Sequence, residues 1–363
     1  MQIETKIAHF DSSLHLESGR ILREFDLAYE TYGKLNEAKD NVVVICHALT
    51  GSHHAAGVYP GEVKAGWWDG LIGDGKAIDT RKYFVICTNI LGSSFGSTSP
   101  LSVEPGTNRE YRLRFPVVVI SDVVRAQMRL FERLGISSVR AVVGGSLGGM
   151  QALCYAIEHP DFARKIAVLA STYATPAWAI AFNKIAVSAI LSDPAFKGGY
   201  YDPAEIRENG LSGMAIGRMA GHISFLSPSS MQAKFGRNYC QTDGLYELLG
   251  RYEVDRYLDY NGFNFSTRFD PLSYLYIVKM MNNFDATRHY GSDVLRRVKA
   301  DLFLASFKSD MLFPPTAMDE MADELVRFGK KVHYERVDSD YGHDAFLVEV
   351  GKFAKPFCEW LEN

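Results

Sequence analysis

Apolar runs alternate with helical patterns through the first half of the chain. Four runs are apolar almost throughout, as is typical of strands buried on both faces: NVVVICHAL (41–49), YFVICTNIL (83–91), VRAVVGG (139–145) and KIAVLAST (165–172). Two helical patterns lie between them: SDVVRAQMRLFERLGI, which begins at Ser121 or Asp122 and ends at Gly135, and MQALCYAIEHP, which Pro160 ends. This alternation predicts an α/β fold with a mostly parallel, doubly wound sheet.

The two ends of the chain also carry strand patterns. Over the first 35 residues, short apolar and polar steps predict antiparallel strands with a turn at residues 17–19. Strand patterns return at residues 300–307 and 330–337, and the apolar spacing of residues 345–362 predicts a last helix. The α/β pattern therefore resumes after a long interruption.

The interruption is a segment without strand patterns. From about residue 173 to residue 296 the chain is mostly helical and irregular, and KGGYYDPAEIRENG (197–210) within it is predicted to be a loop. We therefore divide the chain into an α/β core, residues 1–172 and 297–363, and a helical insertion, residues 173–296. An insertion of this kind is expected to lie over the sheet as a lid.

Composition and charge exclude several classes of protein. The 363 residues are 47% hydrophobic and 23% charged, with a formal net charge of −4, so the basic excess of a nucleic-acid-binding protein is lacking. No apolar stretch approaches the length of a membrane span or resembles a signal-peptide core. The five cysteines are scattered and form no C-x-x-C pair, which argues against a disulfide framework or a zinc ribbon. We expect a cytoplasmic protein without nucleic-acid or membrane partners.

The segment VVGGSLGGM (142–150) places Ser146 in a G-x-S-x-G pattern between a predicted strand and a predicted helix. In a nucleophile elbow a serine occupies a sharp turn in this context, and the glycines let the strand and the helix approach closely. The helix N-terminus would supply N–H donors for an oxyanion. The alternative is a glycine-rich turn in which Ser146 only caps the helix. The strand before Ser146 and the helix after it favour a nucleophile.

A serine nucleophile needs a general base and a carboxylate that orients the base. In α/β-hydrolase sheets the order along the chain is serine, then acid, then histidine. Asp310 and His343 each follow a predicted strand, at the edge where such sheets collect functional groups. Their structural alternatives are a turn cap before Pro314 and a loop histidine beside Gly342. Four other candidates are less suitable by position: Asp301 before its strand, His333 half-buried within a strand, His289 in the insertion and His159 at a helix end.

The segment CHALTGS (46–52), after the first apolar run, is expected to complete an oxyanion hole. Leu49 is the candidate donor from this loop, and Leu147, directly after Ser146, is the second; both would act through backbone N–H groups. His53 and His54 form a possible metal pair, but adjacent histidines point apart on most backbones, and no cysteine or carboxylate cluster accompanies them. We therefore expect no metal.

Longer motifs identify a resemblance to a known family. CHALTG, GWWDGLIGDGKAIDT, YFVICTNILGSSFGSTSP, FPVVVISDVVRAQ, VVGGSLGGMQAL, SYLYI and GHDAFL closely resemble segments of the homoserine O-acetyltransferase family, within the α/β-hydrolase superfamily. The resemblance runs from about residue 10 to the C-terminus. It implies an α/β-hydrolase core with a helical lid that also forms a homodimer. It further implies acetyl transfer from acetyl-CoA to the hydroxyl of L-homoserine in methionine biosynthesis, without a permanently bound cofactor.

The resemblance also implies roles for individual residues. Ser146, Asp310 and His343 match the catalytic triad of the family. Arg218 matches an arginine that binds the carboxylate of homoserine, and Asp344 matches a carboxylate that receives its ammonium group. Considered without the resemblance, Arg218 would be a solvated lid residue and Asp344 a helix cap.

The sequence departs from the family at several positions. Phe225 stands where many relatives have a tyrosine, Leu147 replaces a methionine or phenylalanine, and GSSFGSTSP differs from the usual GGCxGSTGP. These differences leave three alternatives to the implied reaction open: a homoserine O-succinyltransferase, a serine O-acyltransferase, and an esterase that uses water as the acceptor.

Overall fold

An eight-stranded sheet runs through the protein in a computed structural model that describes residues 3–241 and 244–363. In chain order its strands are β1 (Lys6–Phe10), β2 (Phe25–Tyr32), β3 (Val42–Cys46), β4 (Phe84–Thr88), β5 (Val139–Gly145), β6 (Ala163–Leu169), β7 (Asp301–Phe307) and β8 (Val332–Val337). The order across the sheet is β1-β2-β4-β3-β5-β6-β7-β8. The strands from β4 to β8 in this order are parallel, and β1 and β2 form an antiparallel edge.

The described residues also form α-helices, none of which combines the length and the apolar character needed to cross a membrane. In chain order they are α1 (Ile120–Arg133), α2 (Leu147–Glu158), α3 (Ala177–Ser192), α4 (Pro203–Asn209), α5 (Ser212–Phe225), α6 (Pro228–Phe235), α7 (Glu253–Ser266), α8 (Pro271–Asn282), α9 (Pro315–Arg327), α10 (Ala345–Val348) and α11 (Ala354–Glu362).

Shorter elements fill the connections. Pairs of two-residue strands join Leu14–His15 to Ile21–Leu22, Ile72–Gly73 to Ile78–Asp79, and Val103–Glu104 to Arg109–Glu110. The 3₁₀ turns are Arg112–Arg114, Pro194–Gly199, Gly244–Tyr246, Val294–Arg297 and Val350–Lys352.

The sheet separates two apolar cores. Successive residues of a strand face opposite sides, so Val44 and Val142 contribute to one core while Val43 and Val143 contribute to the other. Every residue of β3 is buried, because both faces of the central strands are covered. This double burial is the reason for the near-continuous apolar runs in the sequence. The predicted α/β fold with a mostly parallel, doubly wound sheet is confirmed.

The structure tests two predicted boundaries, the turn near the N-terminus and the start of the first helix. The predicted turn near the N-terminus is confirmed: Gly19, at φ 78°, donates its N–H to the Leu16 carbonyl at 2.9 Å. The first predicted helix begins slightly earlier than expected, at Ile120. There the Asp122 carboxylate accepts the N–H of Val119 at 3.0 Å, which satisfies a donor at the helix start.

Two local predictions are wrong. The segment predicted as a loop, residues 197–210, contains α4, because Asp202 accepts the Ala204 N–H at 2.8 Å and Pro203 occupies the first turn. The last helix, predicted over residues 345–362, is instead α10, a 3₁₀ turn and α11. Pro356 lacks an N–H and is tolerated in the first turn of a helix, so α11 begins anew just before it.

Helices α3 to α8 all lie between β6 and β7. Within this segment α5 packs closely on two neighbours because glycines let the backbones approach. A Cβ on Gly213 would lie 2.2 Å from the carbonyl oxygen of Ala189 on α3, and one on Gly262 of α7 would lie 2.9 Å from the carbonyl oxygen of Ala215. Helix α5, which carries Arg218, is therefore held between α3 and α7.

Candidate active site

Ser146 occupies the turn between β5 and α2 in a backbone conformation that residues with a Cβ rarely adopt (φ 57°, ψ −124°). Gly148 makes this turn possible, since a Cβ there would lie 2.0 Å from the carbonyl oxygen of Cys46. The end of β6 supports the turn. The Ser146 N–H donates to the Leu169 carbonyl at 2.9 Å, and the Ser171 hydroxyl donates to the Ser146 carbonyl at 2.7 Å. A nucleophile elbow has this geometry.

Asp310 and His343 lie beside Ser146. The Nε2 atom of His343 is 3.0 Å from the Ser146 Oγ, and its Nδ1 atom is 2.7 Å from one carboxylate oxygen of Asp310. The other oxygen of Asp310 accepts the N–H groups of Leu312 and Phe313, each at 2.9 Å. Asp310 therefore caps its turn and also holds the histidine. All three side chains are buried, and the structure brings together the three residues that the sequence singled out.

Two opposing effects act on the protonation of His343. Its ring lies among aromatic side chains, with the ring centres of Phe313 and Phe346 at 5.4 and 5.6 Å. Burial lowers the pKa of His343, but the charge and the hydrogen bond of Asp310 raise it more, so the pKa lies above its usual 6.5. The imidazole therefore accepts a proton more readily than a free histidine does.

The backbone N–H groups of Leu49 and Leu147 are unused donors: neither donates a hydrogen bond within the described residues. Leu147 is the first residue of α2, where N–H groups have no partner inside the helix. Leu49 follows β3 and lines the same cavity as Ser146. Two unused donors near a serine hydroxyl are what an oxyanion hole requires.

A buried glutamine connects the two loops that carry these donors. The side-chain amide of Gln151 donates to the carbonyl of His47 at 3.1 Å and to that of Leu147 at 3.4 Å. The His47 ring accepts the Ile90 N–H at 3.1 Å and donates to the Ala48 carbonyl at 2.8 Å. Burial lowers the pKa of His47 to about 4, so the ring stays neutral and keeps both bonds at neutral pH.

Arg218 presents its guanidinium to the site without a carboxylate partner among the described residues. Its Nη1 donates to the Thr50 hydroxyl at 3.4 Å, and its central carbon lies 4.6 and 5.2 Å from the ring centres of Phe265 and Phe225. Burial lowers the pKa of Arg218, and the charge of Asp344 opposes that effect. Arg218 is thus a half-buried cation rather than a solvated lid residue.

Asp344 directly follows His343 and precedes α10, but its side chain makes no capping hydrogen bond. It makes no ion pair with Arg218 within 4.0 Å among the described residues, although the two charges act on each other. Burial raises the pKa of Asp344, while His343 and Arg218 lower it. The site therefore holds a cation and an anion that do not neutralise each other directly.

The loop that carries His343 and Asp344 is joined to the end of α5. The Asp344 N–H donates to the Phe225 carbonyl at 3.1 Å, and the Ser227 N–H donates to the Tyr341 carbonyl at 2.9 Å. Gly342, at φ 113°, permits this contact, since a Cβ there would lie 2.6 Å from the Phe225 carbonyl oxygen. The helix that carries Arg218 is thereby positioned against the proposed base.

Two spaces adjoin these groups. A small cavity, the inner cavity, is bounded by Ser146, Leu49, Phe225 and Tyr274 among others. A wider groove, the outer groove, reaches from Thr50 and Arg218 to the protein surface. Aromatic rings line much of this groove, and Lys64 and Arg268 are exposed along it.

The remaining candidates have other partners. Asp301 pairs with Lys331 at 2.5 Å, His289 with Glu17 at 3.0 Å and His333 with Glu335 at 2.6 Å. His159 ends α2, where its backbone N–H donates to the Tyr155 carbonyl, and its ring Nε2 has no partner among the described residues. The prediction that His333 is half-buried is wrong: β8 is an edge strand, and this side chain is exposed.

His53 and His54 both face the buried carboxylate of Glu30, at 3.6 and 3.0 Å. The Tyr32 hydroxyl also donates to Glu30, at 2.7 Å. The sequence gives no sign of this cluster, because Glu30 lies on β2, while His53 and His54 lie in the loop after β3. Within the described ranges no group of three or more histidine, cysteine or acidic side chains is placed to hold a metal ion, and the five cysteines form no disulfide there.

Three residues near the site were missed from the sequence. Thr50 directly follows Leu49, and Gln151 lies four residues after Leu147, so helical spacing places it on the same face of α2. Tyr274 belongs to the quoted SYLYI motif, but nothing in that motif indicates that its ring borders the cavity beside Ser146.

Comparisons with known proteins agree with this fold. A family model described as α/β hydrolase fold matches residues 41–350. A homoserine O-acetyltransferase of Sulfurimonas autotrophica is 60% identical over 356 residues, which cover 97% of each chain.

Among solved structures, a homoserine O-acetyltransferase from Bacillus anthracis superposes with a TM-score of 0.92 at 29% identity, covering 100% of this chain and 98% of that one. Esterase E22 superposes with a TM-score of 0.90 at 27% identity, covering 99% of this chain and 100% of the other. The two structures have nearly equal identity to this chain, so they do not distinguish a transferase from an esterase. The 60% identity to the Sulfurimonas autotrophica protein, over 97% of each chain, favours the homoserine O-acetyltransferases. The chain belongs to the homoserine O-acetyltransferase family of the α/β-hydrolase fold.

Proposed function

We propose that this protein transfers an acetyl group from acetyl-CoA to the hydroxyl of L-homoserine through an acyl-Ser146 intermediate, as a step of methionine biosynthesis in the cytoplasm. The observation that carries the proposal is the combination of a Ser146–His343–Asp310 relay with two opposite charges, Arg218 and Asp344, that have no ion-pair partner in the described part of the chain. An esterase needs only the relay. A transferase for an amino acid also needs the charges.

In the first half-reaction His343 Nε2 takes the Ser146 proton as the serine Oγ attacks the thioester carbonyl. Asp310 orients the imidazole and stabilises the imidazolium. The N–H groups of Leu49 and Leu147 stabilise the oxyanion, each by about 10²–10³ in rate. The C–S bond then breaks, the CoA thiolate takes the proton from His343, and acetyl-Ser146 remains.

In the second half-reaction the hydroxyl of homoserine replaces CoA near His343. Arg218 binds the carboxylate of the amino acid, and Asp344 receives its ammonium group. His343 takes the hydroxyl proton as the oxygen attacks the acetyl carbon. When the bond to Ser146 breaks, that proton returns to the serine oxygen and O-acetylhomoserine leaves.

The outer groove suits the long CoA donor. Its aromatic lining offers surface to the pantetheine arm, and its inner end at Thr50 adjoins the oxyanion loop. Lys64 and Arg268 would bind the phosphates near the surface, where charge-assisted hydrogen bonds retain part of their strength. Glu62 lies in the same groove and would weaken this binding.

We also propose that residues 173–296 act as a lid and as the interface of a homodimer. Helices α3, α5 and α7 expose large apolar side chains, among them Leu191, Ile216, Ile223 and Phe263, each about half exposed or more. Ile216 and Ile223 are seven residues apart and so share one face of α5. Several exposed apolar side chains on adjoining helices are typical of a surface that pairs.

The first prediction concerns donor and acceptor. In a thiol-release assay, acetyl-CoA with homoserine should turn over steadily. Succinyl-CoA should be at least about tenfold slower, because no lysine or arginine among the described residues lines the inner cavity to pair with the free carboxylate of the succinyl group. L-Serine should also be slow, because its hydroxyl lies one methylene short of the reacting position. Ser146→Ala should release no thiol, and equal turnover without homoserine would instead establish an esterase.

The second prediction concerns pH. The base must be neutral, so the rate of acyl-enzyme formation should rise with pH through the raised pKa of His343, with a midpoint above 6.5. Asp310→Asn should lower that rate by about 10⁴ and move the midpoint to lower pH, because the negative charge is lost. The rate is measured as the burst of CoA released without homoserine. An unchanged midpoint in the variant would contradict the assigned role of Asp310.

The third prediction concerns the outer groove. Lys64→Ala combined with Arg268→Ala should raise the KM for acetyl-CoA about tenfold, because phosphate contacts are lost. The same variant should be unaffected with S-acetyl-N-acetylcysteamine, a donor without phosphates. Glu62→Gln should lower the KM for acetyl-CoA slightly. Equal losses with both donors would place the phosphates elsewhere.

The fourth prediction concerns assembly. The protein should sediment as a dimer, and Ile216→Asp with Ile223→Asp should yield monomers, because burying two carboxylates in an apolar interface is unfavourable. Ile7→Asp is the matched control, since Ile7 is exposed on β1, outside the insertion. If both variants remain dimeric in sedimentation velocity, the interface does not involve this face of α5.

A further inference from the structure

The inner cavity contains one hydroxyl that the protein itself does not use. Among the polar side chains that border it, Asn183 donates to the Asn282 side-chain oxygen at 2.6 Å, and Ser224 donates to the Gly221 carbonyl at 2.8 Å. Tyr274 also borders the cavity, and its hydroxyl makes no hydrogen bond to any described residue. Its oxygen is not among the fully enclosed polar atoms without a partner in the described residues, so it opens to the cavity, where a ligand can accept its hydrogen bond.

The ring of Tyr274 is held firmly, which makes its position well defined. Only 6% of the residue is exposed. Its ring packs edge-on against Phe265 and Phe269, with centre distances of 5.7 and 6.2 Å. Its neighbour across the cavity, Phe225, offers no hydrogen bond. The hydroxyl of Tyr274 is therefore a fixed donor in a wall whose other polar side chains have hydrogen-bond partners within the protein.

The electrostatic surroundings indicate what this donor would bind. Arg218 acts on Tyr274, and its guanidinium lies over the ring of Phe265, against which Tyr274 packs. Burial raises the pKa of Tyr274 and outweighs the opposite effect of Arg218, so the phenol keeps its proton. A neutral O–H donor whose ring packs against the same phenylalanine as a guanidinium is suited to an anion, and in the proposed acceptor the anion is the carboxylate.

We propose that the Tyr274 hydroxyl donates a hydrogen bond to the carboxylate of the amino-acid acceptor and, together with Arg218, determines selectivity for acceptors that carry one. This assignment rests on the proposed function, since it names a further contact in the same site. The positive charge of Arg218 attracts the carboxylate, and the hydrogen bond from Tyr274 orients it. An acceptor without a carboxylate would leave both donors unpaired, which is the kind of mismatch that polar sites reject most strongly.

The test compares Tyr274→Phe with Tyr276→Phe. Tyr276 lies on the same helix, but its hydroxyl donates to the Phe115 carbonyl at 2.8 Å and serves the fold. Tyr274→Phe should raise the KM for L-homoserine about 10- to 100-fold, as expected for a lost hydrogen bond to a charged group. It should leave the burst of CoA release without acceptor unchanged. Tyr276→Phe should change neither quantity.

Acceptor analogues identify the group that Tyr274 contacts. Relative to the wild type, Tyr274→Phe should lose nothing with 3-aminopropan-1-ol, which lacks the carboxylate, and should keep its full loss with 4-hydroxybutyrate, which lacks the ammonium group. Equal KM values for homoserine in variant and wild type would overturn the proposal, and so would a loss that also appears in the burst or with 3-aminopropan-1-ol. If the wild type does not use homoserine at all, the proposed function fails instead.

Discussion

The left-handed backbone at Ser146 is the constraint on which the rest of the site depends. A residue with a Cβ in such a conformation costs about 1–3 kcal/mol and persists only where its surroundings leave no alternative. Gly148 allows α2 to contact the end of β3, and the Leu169 carbonyl holds the Ser146 N–H. Because β3, β5 and β6 are adjacent and parallel, their C-terminal ends bring Leu49, Ser146 and Ser171 to one edge. The strained turn and the unused donors therefore follow from the same sheet.

The second half of the site depends on a contact between the core and the insertion. The backbone bonds between the His343 loop and the end of α5 set the separation of His343 from Arg218. That separation matters for a transferase, since the acceptor must be bound at one end while its hydroxyl reaches the base at the other. The close packing of α5 on α3 and α7 keeps Arg218 from moving independently.

The fold and the triad were predictable because each rests on a local signal. Double burial gives apolar runs, the elbow gives glycines around Ser146, and sheet polarity places Asp310 and His343 at strand ends. The wrong boundaries of two helical segments and the missed position of Tyr274 have a different physical basis. Asp202 and Pro356 control α4 and α11 through single caps and a missing N–H, which apolar spacing does not report. The position of Tyr274 in the cavity wall depends on how α8 packs, so only tertiary structure reveals it.

Arg218 and Asp344 do not form a direct ion pair with each other, and their separation bears on which acceptor the site binds. Burial works against both charges, as the lowered pKa of Arg218 and the raised pKa of Asp344 indicate. A direct ion pair would offset the unfavourable burial of both charges, but neither charge would then be available to bind a ligand. Held apart, each charge lacks a close counter-ion until a zwitterion brings one of each sign. In the proposed reaction, an acceptor that carries only one charge leaves the other, half-buried protein charge without a counter-ion, which is unfavourable. The separation of Arg218 and Asp344 therefore favours an amino acid with both charges, and the Ser146 relay acts on the hydroxyl that this binding places within reach.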